Sequence, residues 1–474
     1  MSNAKNMVLG KSAPPGRRRF LKHVLVAGGA TGVAAAGGLS ALSRLAAQTG
    51  PSADEKFYVY AYFSGGWDTL LGIDPRDPAV FNADSVGQTR IMPGYENQAA
   101  VEFQEAPRMA PGTEILLGPA ARPLEAIADR LVVIRGMSMD TLTHEVGRRR
   151  FLTGKPPSGL NARGSSGSCW LSAQFDTESR LIPNLSVGVE SFNPSLPPDV
   201  SALRVGSSTD LVAMLRRRDP LMDPMMDESI AQLLADESSC ARSVSSPVLR
   251  TSESARLRMH AVLDADVQAL FDFRNDMAPG IPELRDHFGF TTSTLTSGGA
   301  QAAIAYQAIT QGVSRVVSFQ AAGGLDTHFD DWEDVAGPRQ REGWQAIVDL
   351  ATLLGDTEFG STGTSYLDRT VIVGFSEFMR TPLLNARGGR DHWLTGSCAV
   401  IGGNIRGGNV IGASSDVGMS PQLVDIQTGR VTEDSTVGQI IRPEHVLRTL
   451  LVDAGLEEDR ADLRVPPMPA LIPA

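Results

Sequence analysis

The sequence predicts an α/β fold in which a mostly parallel central sheet has helices on both of its faces. Short, strongly apolar segments alternate along the chain with stretches of helical periodicity, an order typical of parallel sheets. The apolar segments are nearly continuous rather than alternating, as in strands that are buried on both faces. Carboxylates and histidines follow several of these segments, where a sheet of this kind binds its ligands.

The predicted strands and helices follow one another over most of the chain. Strands are predicted at residues 56–64 (KFYVYAYFS), 131–134 (LVVI), 314–319 (SRVVSF), 370–375 (TVIVGF) and 397–401 (SCAVI). Helices are predicted at residues 123–130, 300–311, around 344–354 and at 443–454. The last helix has Pro443 near its start and Gly455 just after its end, as these residue types prefer. We expect one domain over residues 49–474, with an insertion at about 183–254.

The composition is that of an acidic globular protein. The 474 residues carry a formal net charge of −11, and the pI is about 5.2, so nucleic acid is not expected as a partner. Three cysteines, Cys169, Cys240 and Cys398, do not make a disulfide framework, although one pair could form in an oxidising compartment. There is no CxxC motif, and a structural zinc site of the usual kind is not expected.

The N-terminal segment predicts export from the cytoplasm. Residues 16–22 (GRRRFLK) form a twin-arginine motif, and an apolar, glycine-rich run follows at residues 23–42. We therefore expect a signal peptide at residues 1–48, the twin-arginine translocase as a partner during export, and a periplasmic or secreted protein. The alternative is an uncleaved membrane anchor. The run approaches the spanning length of roughly 20 residues, but its many glycines and alanines make it a poor anchor.

Four short motifs place charged and imidazole groups at the exits of apolar segments. They are residues 64–68 (SGGWD), 324–328 (GLDTH), 376–380 (SEFMR) and 389–393 (GRDHW). The carboxyl ends of parallel strands meet at one edge of a sheet, so we expect several of these side chains to lie together. Carboxylates and imidazoles gathered there can hold a divalent metal.

The strongest metal ligands in the sequence are Asp326, His328 and His392. Asp326 and His328 are two residues apart in an extended segment, so their side chains can point the same way. Two imidazoles and one carboxylate would leave coordination positions open for water or substrate, as a catalytic site requires. The alternative is a pair of hydrogen-bonded surface histidines. Asp391 either orients His392 or belongs to a surface turn.

The order of these motifs resembles a known exported family. Gly-Gly-Trp-Asp, Asp-Thr-His, Ser-Glu-Phe-x-Arg-Thr and Asp-His, in this order, are similar to the family called domain of unknown function 1501, over about residues 57–456. That family is placed by similarity in the alkaline phosphatase and sulfatase superfamily. The resemblance implies an alkaline-phosphatase-like core and metal-dependent hydrolysis of phosphate or sulfate esters. The metal would be zinc, calcium or manganese, and the substrate a small anionic ester or a sulfated or phosphorylated polymer.

The resemblance assigns roles to individual residues. Asp68 stands where the superfamily has its first metal ligand. Thr143, ten residues before Thr153-Gly154, is the best match for the nucleophile, and its alternative role is to cap a helix. Arg380 is a candidate clamp for the anion, because its planar guanidinium matches phosphate or sulfate oxygens, or else an arginine in a salt bridge at the edge of the site.

The sequence also departs from the superfamily pattern. Where phosphatases and sulfatases have Asp-His, this chain has Ser376-Glu377, so that Glu377 would supply an oxygen ligand. His144 is a candidate for the missing imidazole. The Cys/Ser-x-Pro-x-Arg motif of sulfatases is absent, which argues against a conventional sulfatase. The rival hypothesis is an exported metal- or ligand-binding protein that keeps the fold and has lost catalysis.

Overall fold

The structure is a computed structural model that describes residues 55–175, 180–216 and 266–472, with a few isolated positions between 216 and 266. The twin-arginine segment, Cys240 and much of the predicted insertion lie outside the described residues.

The strands and helices are labelled separately in chain order. The strands are β1 (Phe57–Phe63), β2 (Arg108–Met109), β3 (Leu116–Leu117), β4 (Leu131–Ser138), β5 (Asn184–Val187), β6 (Leu203–Val205), β7 (Val316–Ala322), β8 (Thr370–Ser376), β9 (Met379–Arg380), β10 (His392–Trp393), β11 (Thr395–Gly402), β12 (Asn409–Ile411), β13 (Leu423–Asp425) and β14 (Gly438–Ile440). The α-helices are α1 (Val86–Thr89), α2 (His144–Thr153), α3 (Gly167–Ser172), α4 (Ser208–Leu215), α5 (Ile281–His287), α6 (Gly298–Thr310), α7 (Asp331–Asp356) and α8 (Pro443–Asp453).

The described residues build one eight-stranded sheet in the order β12-β4-β11-β8-β1-β7-β5-β6. Each neighbouring pair is parallel except the two that involve β11, which runs antiparallel to β4 on one side and to β8 on the other. The sequence-based prediction of a mostly parallel α/β sheet is therefore confirmed. The reversed direction of β11 was not predicted.

Helices cover both faces of the sheet, as predicted. Side chains of β1 alternate between two hydrophobic cores, with Phe57, Val59, Ala61 and Phe63 in one and Tyr58, Tyr60 and Tyr62 in the other. The first core contains residues of α6 and α7, and the second contains residues of α2 and α8. Because β1 is buried along its whole length, its sequence is continuously apolar and aromatic.

Most predicted elements are present with shifted ends. The predicted strands correspond to β1, β4, β7, β8 and β11, and three of the predicted helices to α6, α7 and α8. The segment predicted as a helix at 123–130 lies instead within Pro119–Arg130, which is 3₁₀-helical and has a kink at Ile127. Ile127 has a φ of −130° and a ψ of 23°, outside the helical range, so no regular α-helix runs through the segment.

The region predicted as an insertion begins inside the sheet. β5 and β6 fall within residues 183–254, and they are the last two strands at one edge of the sheet. Both strands are short, at four and three residues, so their apolar pattern is weak in the sequence. The remainder of this region lies largely outside the described residues.

Two further features concern the cysteines and the helices of the described residues. Cys169 and Cys398 are free and buried, so they do not form a disulfide with each other. Within the described ranges, none of the helices combines the length and the apolar character needed to cross a membrane.

Candidate metal centre

The candidate site lies at the edge of the sheet where the parallel strands end. Asp326 and His328 follow β7, Glu377 follows β8 directly, and His144 begins the helix after β4. His392 precedes β11, and because β11 runs in the opposite direction, its start lies at the same edge. Chain direction therefore brings these five residues to one place, as expected for ligand sites in open α/β sheets.

Three imidazoles converge on one oxygen of Asp326. Their Nε2 atoms lie 3.2 Å (His144), 3.1 Å (His328) and 3.4 Å (His392) from the Oδ1 atom of Asp326. The ligand atoms of His144, Asp326 and His392 all lie within 4.8 Å of one another. The structure thus brings together three residues predicted as metal ligands and adds His144 to them.

Each imidazole presents its other nitrogen, Nδ1, to an oxygen acceptor. The three pairs are His144 with Glu377 Oε1 at 2.7 Å, His328 with Asp391 Oδ1 at 2.8 Å, and His392 with the Leu142 carbonyl at 2.6 Å. Carboxylate and carbonyl oxygens only accept, so each Nδ1 carries the proton and each neutral ring turns a lone pair at Nε2 toward the cluster. This is the arrangement found behind histidines that bind metals.

The lone pairs on the three Nε2 atoms repel one another unless a cation lies between them. The Nε2 atoms of His328 and His392 are 2.9 Å apart, and two neutral rings in these tautomers would repel each other there. The Nε2 atom of His144 is buried and makes no hydrogen bond within the described part of the chain. A shared proton or a metal ion would satisfy these atoms. The donor set therefore fits a divalent metal that accepts imidazole ligands.

Glu377 lies behind His144 rather than among the converging atoms. Its side chain is buried, and Oε1 also accepts the backbone N–H of Gly65 at 2.9 Å while Oε2 accepts the Ser376 hydroxyl at 2.8 Å. Glu377 was predicted as a direct metal ligand, and in this geometry its oxygens contact His144, Gly65 and Ser376 instead of the converging atoms. Burial would raise the pKa of Glu377, but the hydrogen bond from His144 outweighs it and lowers that pKa.

The protonation of the imidazoles differs. Burial would lower the pKa of His144, yet its hydrogen bond to Glu377 and the charges of Glu377 and Asp326 raise it. Burial lowers the pKa of His392. Compared with an ordinary histidine, His144 therefore holds a proton more readily and His392 holds one less readily.

Arg380 is buried beneath the cluster. Its guanidinium donates to the carbonyl oxygens of Gly65, Gly66 and Arg390 and to Asp326 Oδ1, the last at 2.5 Å. The side chain has no exposed area, so the geometry does not favour the predicted clamp on a substrate anion and matches the alternative, a salt bridge at the site. Burial would raise the pKa of Asp326, but Arg380, His144 and His328 outweigh it and lower that pKa to about 2.

Two glycines allow the close packing around the site. A Cβ atom on Gly65 would lie 2.6 Å from the backbone nitrogens of Leu325 and Asp326, and a φ of +116° also favours glycine there. A Cβ atom on Gly147 would lie 2.2 Å from the carbonyl oxygen of Glu377. The first glycine lets the β1 and β7 loops touch, and the second lets α2 approach the end of β8 and bring His144 to Glu377.

Asp68 does not join the cluster. Its carboxylate is 3% exposed and pairs with Arg390 at 2.9 Å, and it also accepts the indole N–H of Trp332 at 2.8 Å. The backbone N–H groups of Leu70 and Leu71 donate to its other oxygen. Asp68 was predicted as the first metal ligand, and in this geometry its lone pairs are engaged in a buried ion pair and hydrogen bonds outside the converging atoms.

Thr143 is the residue before α2 and is exposed. Its side chain makes no hydrogen bond that caps the helix, and its backbone N–H donates to the Thr141 hydroxyl at 3.1 Å. Thr143 therefore lies at the surface beside His144 and not in the core. The nucleophile role stays a prediction.

His144 and Asp391 lie in positions that the sequence motifs do not reveal. His144 starts a helix just after β4, in the position of a strand-to-helix turn, and that context was the available signal. Asp391 orients His328, from the Asp-Thr-His motif, rather than its neighbour His392.

An aromatic ring also packs against the cluster. The centroid of the buried Phe378 ring lies 4.9 Å from that of His144 and 4.5 Å from that of His392.

The fold and the cluster define an α/β protein with a candidate metal centre at the carboxyl edge of its parallel strands. The model of the family described as "Protein of unknown function (DUF1501)" matches residues 56–431, and the chain belongs to this family. Among solved structures, the chain is similar to the PsFucS1 sulfatase from Pseudoalteromonas sp., with 13% identity and a TM-score of 0.29 over 85% of this chain and 70% of that chain. No curated protein matches the chain.

Proposed function

We propose that the chain binds a divalent metal through His144, Asp326, His328 and His392, and that zinc fits best. The observation that carries the proposal is the convergence of three Nε2 atoms on Asp326 Oδ1, with each Nδ1 held by an oxygen. Of zinc, calcium and manganese, calcium prefers oxygen ligands and manganese prefers oxygen-rich sites, whereas zinc is commonly bound by imidazoles.

We further propose that the protein hydrolyses a phosphate or sulfate ester. A bound zinc ion would polarise an ester oxygen and lower the pKa of a hydroxyl or water beside it. Thr143 supports the proposal because its exposed hydroxyl is adjacent to His144 and at a helix N-terminus, where free N–H groups favour an anionic oxygen. The substrate is proposed to be a small anionic ester or a sulfated or phosphorylated polymer.

The residues around the cluster supply orientation. Glu377 fixes the His144 ring, and Asp391 fixes the His328 ring. Arg380 holds Asp326 and the loop after β1, so the carboxylate is already in place and already ionised. Such preorganisation is what a metal site needs in order to act on a substrate without rearranging.

A second candidate is a metal-binding protein without hydrolytic activity. Two observations favour it. Asp68 and Glu377 are both engaged away from the converging atoms, so the described residues offer one cluster rather than the paired metal sites of phosphatases. Arg380 is buried, so it cannot contact a substrate anion from its present position.

The test is elemental analysis of the folded protein combined with an ester-hydrolysis screen. We expect one zinc ion per chain in the wild type, and loss of both zinc and activity in Asp326→Ala. Thr143→Ala should keep the zinc and lose the activity. Zinc without any ester hydrolysis in the wild type would favour the second candidate. A wild type that takes up no zinc and has the same thermal stability with and without added zinc would contradict the metal proposal.

We also propose export to the periplasm or beyond by the twin-arginine translocase. Arg17 and Arg18, followed by an apolar run, support this route. Replacing both arginines by lysine should retain the protein in the cytoplasm, as measured by cell fractionation. Unchanged export of that double variant would contradict the route, and recovery of the wild type in the membrane fraction would favour an uncleaved anchor.

A further inference from the structure

Three large, exposed apolar residues are next to the cluster histidines in the chain. Leu142, Phe329 and Leu394 are 48%, 52% and 49% exposed, respectively. Each is within two residues of a cluster histidine, since Leu142 precedes Thr143-His144, Phe329 follows His328, and Leu394 follows His392-Trp393. Single exposed apolar residues are ordinary on protein surfaces, but several around one polar site are typical of a ligand groove.

These three residues, which we call the apolar rim, are fixed to the cluster through their backbones. The Leu142 carbonyl accepts Nδ1 of His392, and the Leu394 carbonyl accepts the backbone N–H of Met139 at 2.8 Å. Phe329 is bridged to Gly388, in the loop that precedes the Asp-His motif. The rim is therefore built on the same segments as the metal ligands, and its position relative to them is set by the fold.

The side chains of the cluster itself are polar and partly exposed to solvent. The side chain of Asp326 is half exposed, and those of His328 and His392 are 24% and 20% exposed. Arg387 lies over the Phe329 ring, 4.4 Å from its centroid, and its side chain is 55% exposed. A ligand at this place would meet a cation, a site for a metal and an apolar border, so it should carry both an anionic group and an apolar group.

The polar side chains next to Phe329 are already engaged with the protein. The amide of Asn385 donates to the His328 carbonyl and to Asp391, and its oxygen accepts the backbone N–H groups of Arg387 and Gly389. Asp391 in turn accepts from His328. A sugar or a nucleotide needs free donors and acceptors for its hydroxyls, and the fully engaged amide of Asn385 does not offer them.

We propose that the site takes an ester of phosphate or sulfate whose organic part is an apolar alkyl or aryl group, lying against Leu142, Phe329 and Leu394. This inference rests on the proposed function for the anionic end of the ligand and names the class of its other end. It favours a small amphipathic ester over a sulfated or phosphorylated polymer.

The experiment is a calorimetric titration of the zinc-loaded full chain with n-octyl phosphate, inorganic phosphate and uncharged n-octyl glucoside. We expect n-octyl phosphate to bind at least about tenfold more tightly than inorganic phosphate, because burial of several methylene groups on the rim adds to the anionic contact. n-Octyl glucoside should bind weakly, since it lacks the anion. Equal affinities for the two phosphates would overturn the proposal, and so would equal affinities for the two octyl compounds.

Matched variants locate the effect. Phe329→Ala and Leu394→Ala should each reduce the advantage of n-octyl phosphate by about threefold to tenfold, with unchanged zinc content and unchanged affinity for inorganic phosphate. Met277→Ala, which removes an apolar side chain that is 89% exposed and outside the cluster, is the control and should change none of these values. An advantage that persists in the Phe329/Leu394 double variant would show that the octyl group binds elsewhere.

The two proposals can fail separately. If the chain takes up no zinc, the metal proposal fails, and the same titrations of the metal-free chain still compare the two phosphates at the rim. If zinc binds and inorganic phosphate binds, but the octyl group adds no affinity, the metal proposal stands and the apolar rim has another use, such as contact with a protein partner.

Discussion

Asp68 and Asp326 both follow a strand of the central sheet, and each contacts a buried arginine. Asp68 is itself buried, and Arg390, Trp332 and two backbone N–H groups complete its set of partners. Asp326 is half exposed, and its oxygen faces three imidazoles in addition to Arg380. A carboxylate whose oxygens accept from several donors stabilises the fold. A carboxylate whose oxygen lies beside the lone pairs of imidazole nitrogens is suited to binding a metal.

Among the variants that distinguish the two carboxylates, the largest expected effect is the loss of stability on changing Asp68. Replacing Asp68 by Asn should lower the free energy of unfolding by about 3–5 kcal/mol, because Arg390 would be left buried without its counter-charge. Denaturant unfolding measures this directly. Glu458→Gln, which removes an exposed partner of Arg460, is the control and should cost less than about 1 kcal/mol. A loss at Asp68 no larger than that of the control would contradict the structural role.

Changes at Asp326 should affect zinc binding more than stability, the reverse of changes at Asp68. Asp326→Ala should weaken zinc binding by about 100-fold or more, since the change removes a ligand rather than a group behind one. The loss of stability in the metal-free protein should be smaller than for Asp68→Asn, because the Asp326 side chain is half exposed. Competition with a chromogenic chelator measures the affinity. If Asp68→Asn weakened zinc binding as much as Asp326→Ala did, the distinction between the two carboxylates would be wrong.

Glu377 tests whether orientation of His144 matters. Glu377→Gln removes the charge but keeps the shape of the side chain, and we expect zinc affinity to fall by about tenfold, as for other residues that hold a ligating histidine. Glu444→Gln is the matched control, because Glu444 is buried and paired with Arg150 elsewhere. It should lower stability without changing zinc affinity. Equal zinc affinities for wild type and Glu377→Gln would exclude the orienting role.

The smallest expected effect is a shift in pH dependence. Burial would lower the pKa of His144, but Glu377 outweighs it and raises that pKa above its ordinary value of 6.5, so zinc must displace a proton from this ring as the pH is lowered. Zinc affinity should fall as the pH is lowered from about 8 to about 6, by up to about tenfold per pH unit. In Glu377→Gln the fall should begin at a lower pH. Zinc affinity that does not change with pH in the wild type would contradict this.

In the metal-free protein, the raised pKa of His144 has the opposite effect: it increases the free energy of unfolding at low pH rather than at high pH. A raised histidine pKa stabilises the folded state fully below the ordinary value of 6.5, and this contribution is lost as the pH rises through the raised pKa. Unfolding of the chelator-treated wild type and of His144→Gln, compared at pH 6 and pH 9, should show a larger difference at pH 6. A larger difference at pH 9 would mean that the ring is neutral in the folded protein.

The sequence predicted the sheet well because each buried strand carries its own signal. β1, β4, β7, β8 and β11 are continuous apolar runs, and this property is independent of what lies next to them. β5 and β6 are too short to give such a signal. The direction of β11 depends on its neighbours, so the residues of the strand itself do not reveal it.

The site could be predicted only in part, since its roles depend on partners that are distant in the chain. Asp68 and Asp326 look alike in sequence, and what separates them is Arg390, which pairs with Asp68 from within the Gly-Arg-Asp-His motif. Glu377 was a reasonable ligand by residue type, but Gly147 lets α2 pack closely against Glu377, and this packing places His144 in front of the carboxylate. A sequence motif indicates which residues meet, and the geometry decides which of them face the open position.

The position of β11 has a consequence for how the chain assembles. β11 lies between β4 and β8, so before it is inserted the sheet exists as two separate parts. His144 belongs to the part with β4, Asp326 and His328 belong to the part with β1, β7 and β8, and His392 arrives with β11 itself. The cluster is therefore complete only when β11 has joined both parts, and an ion bound there would mark a chain whose sheet has closed.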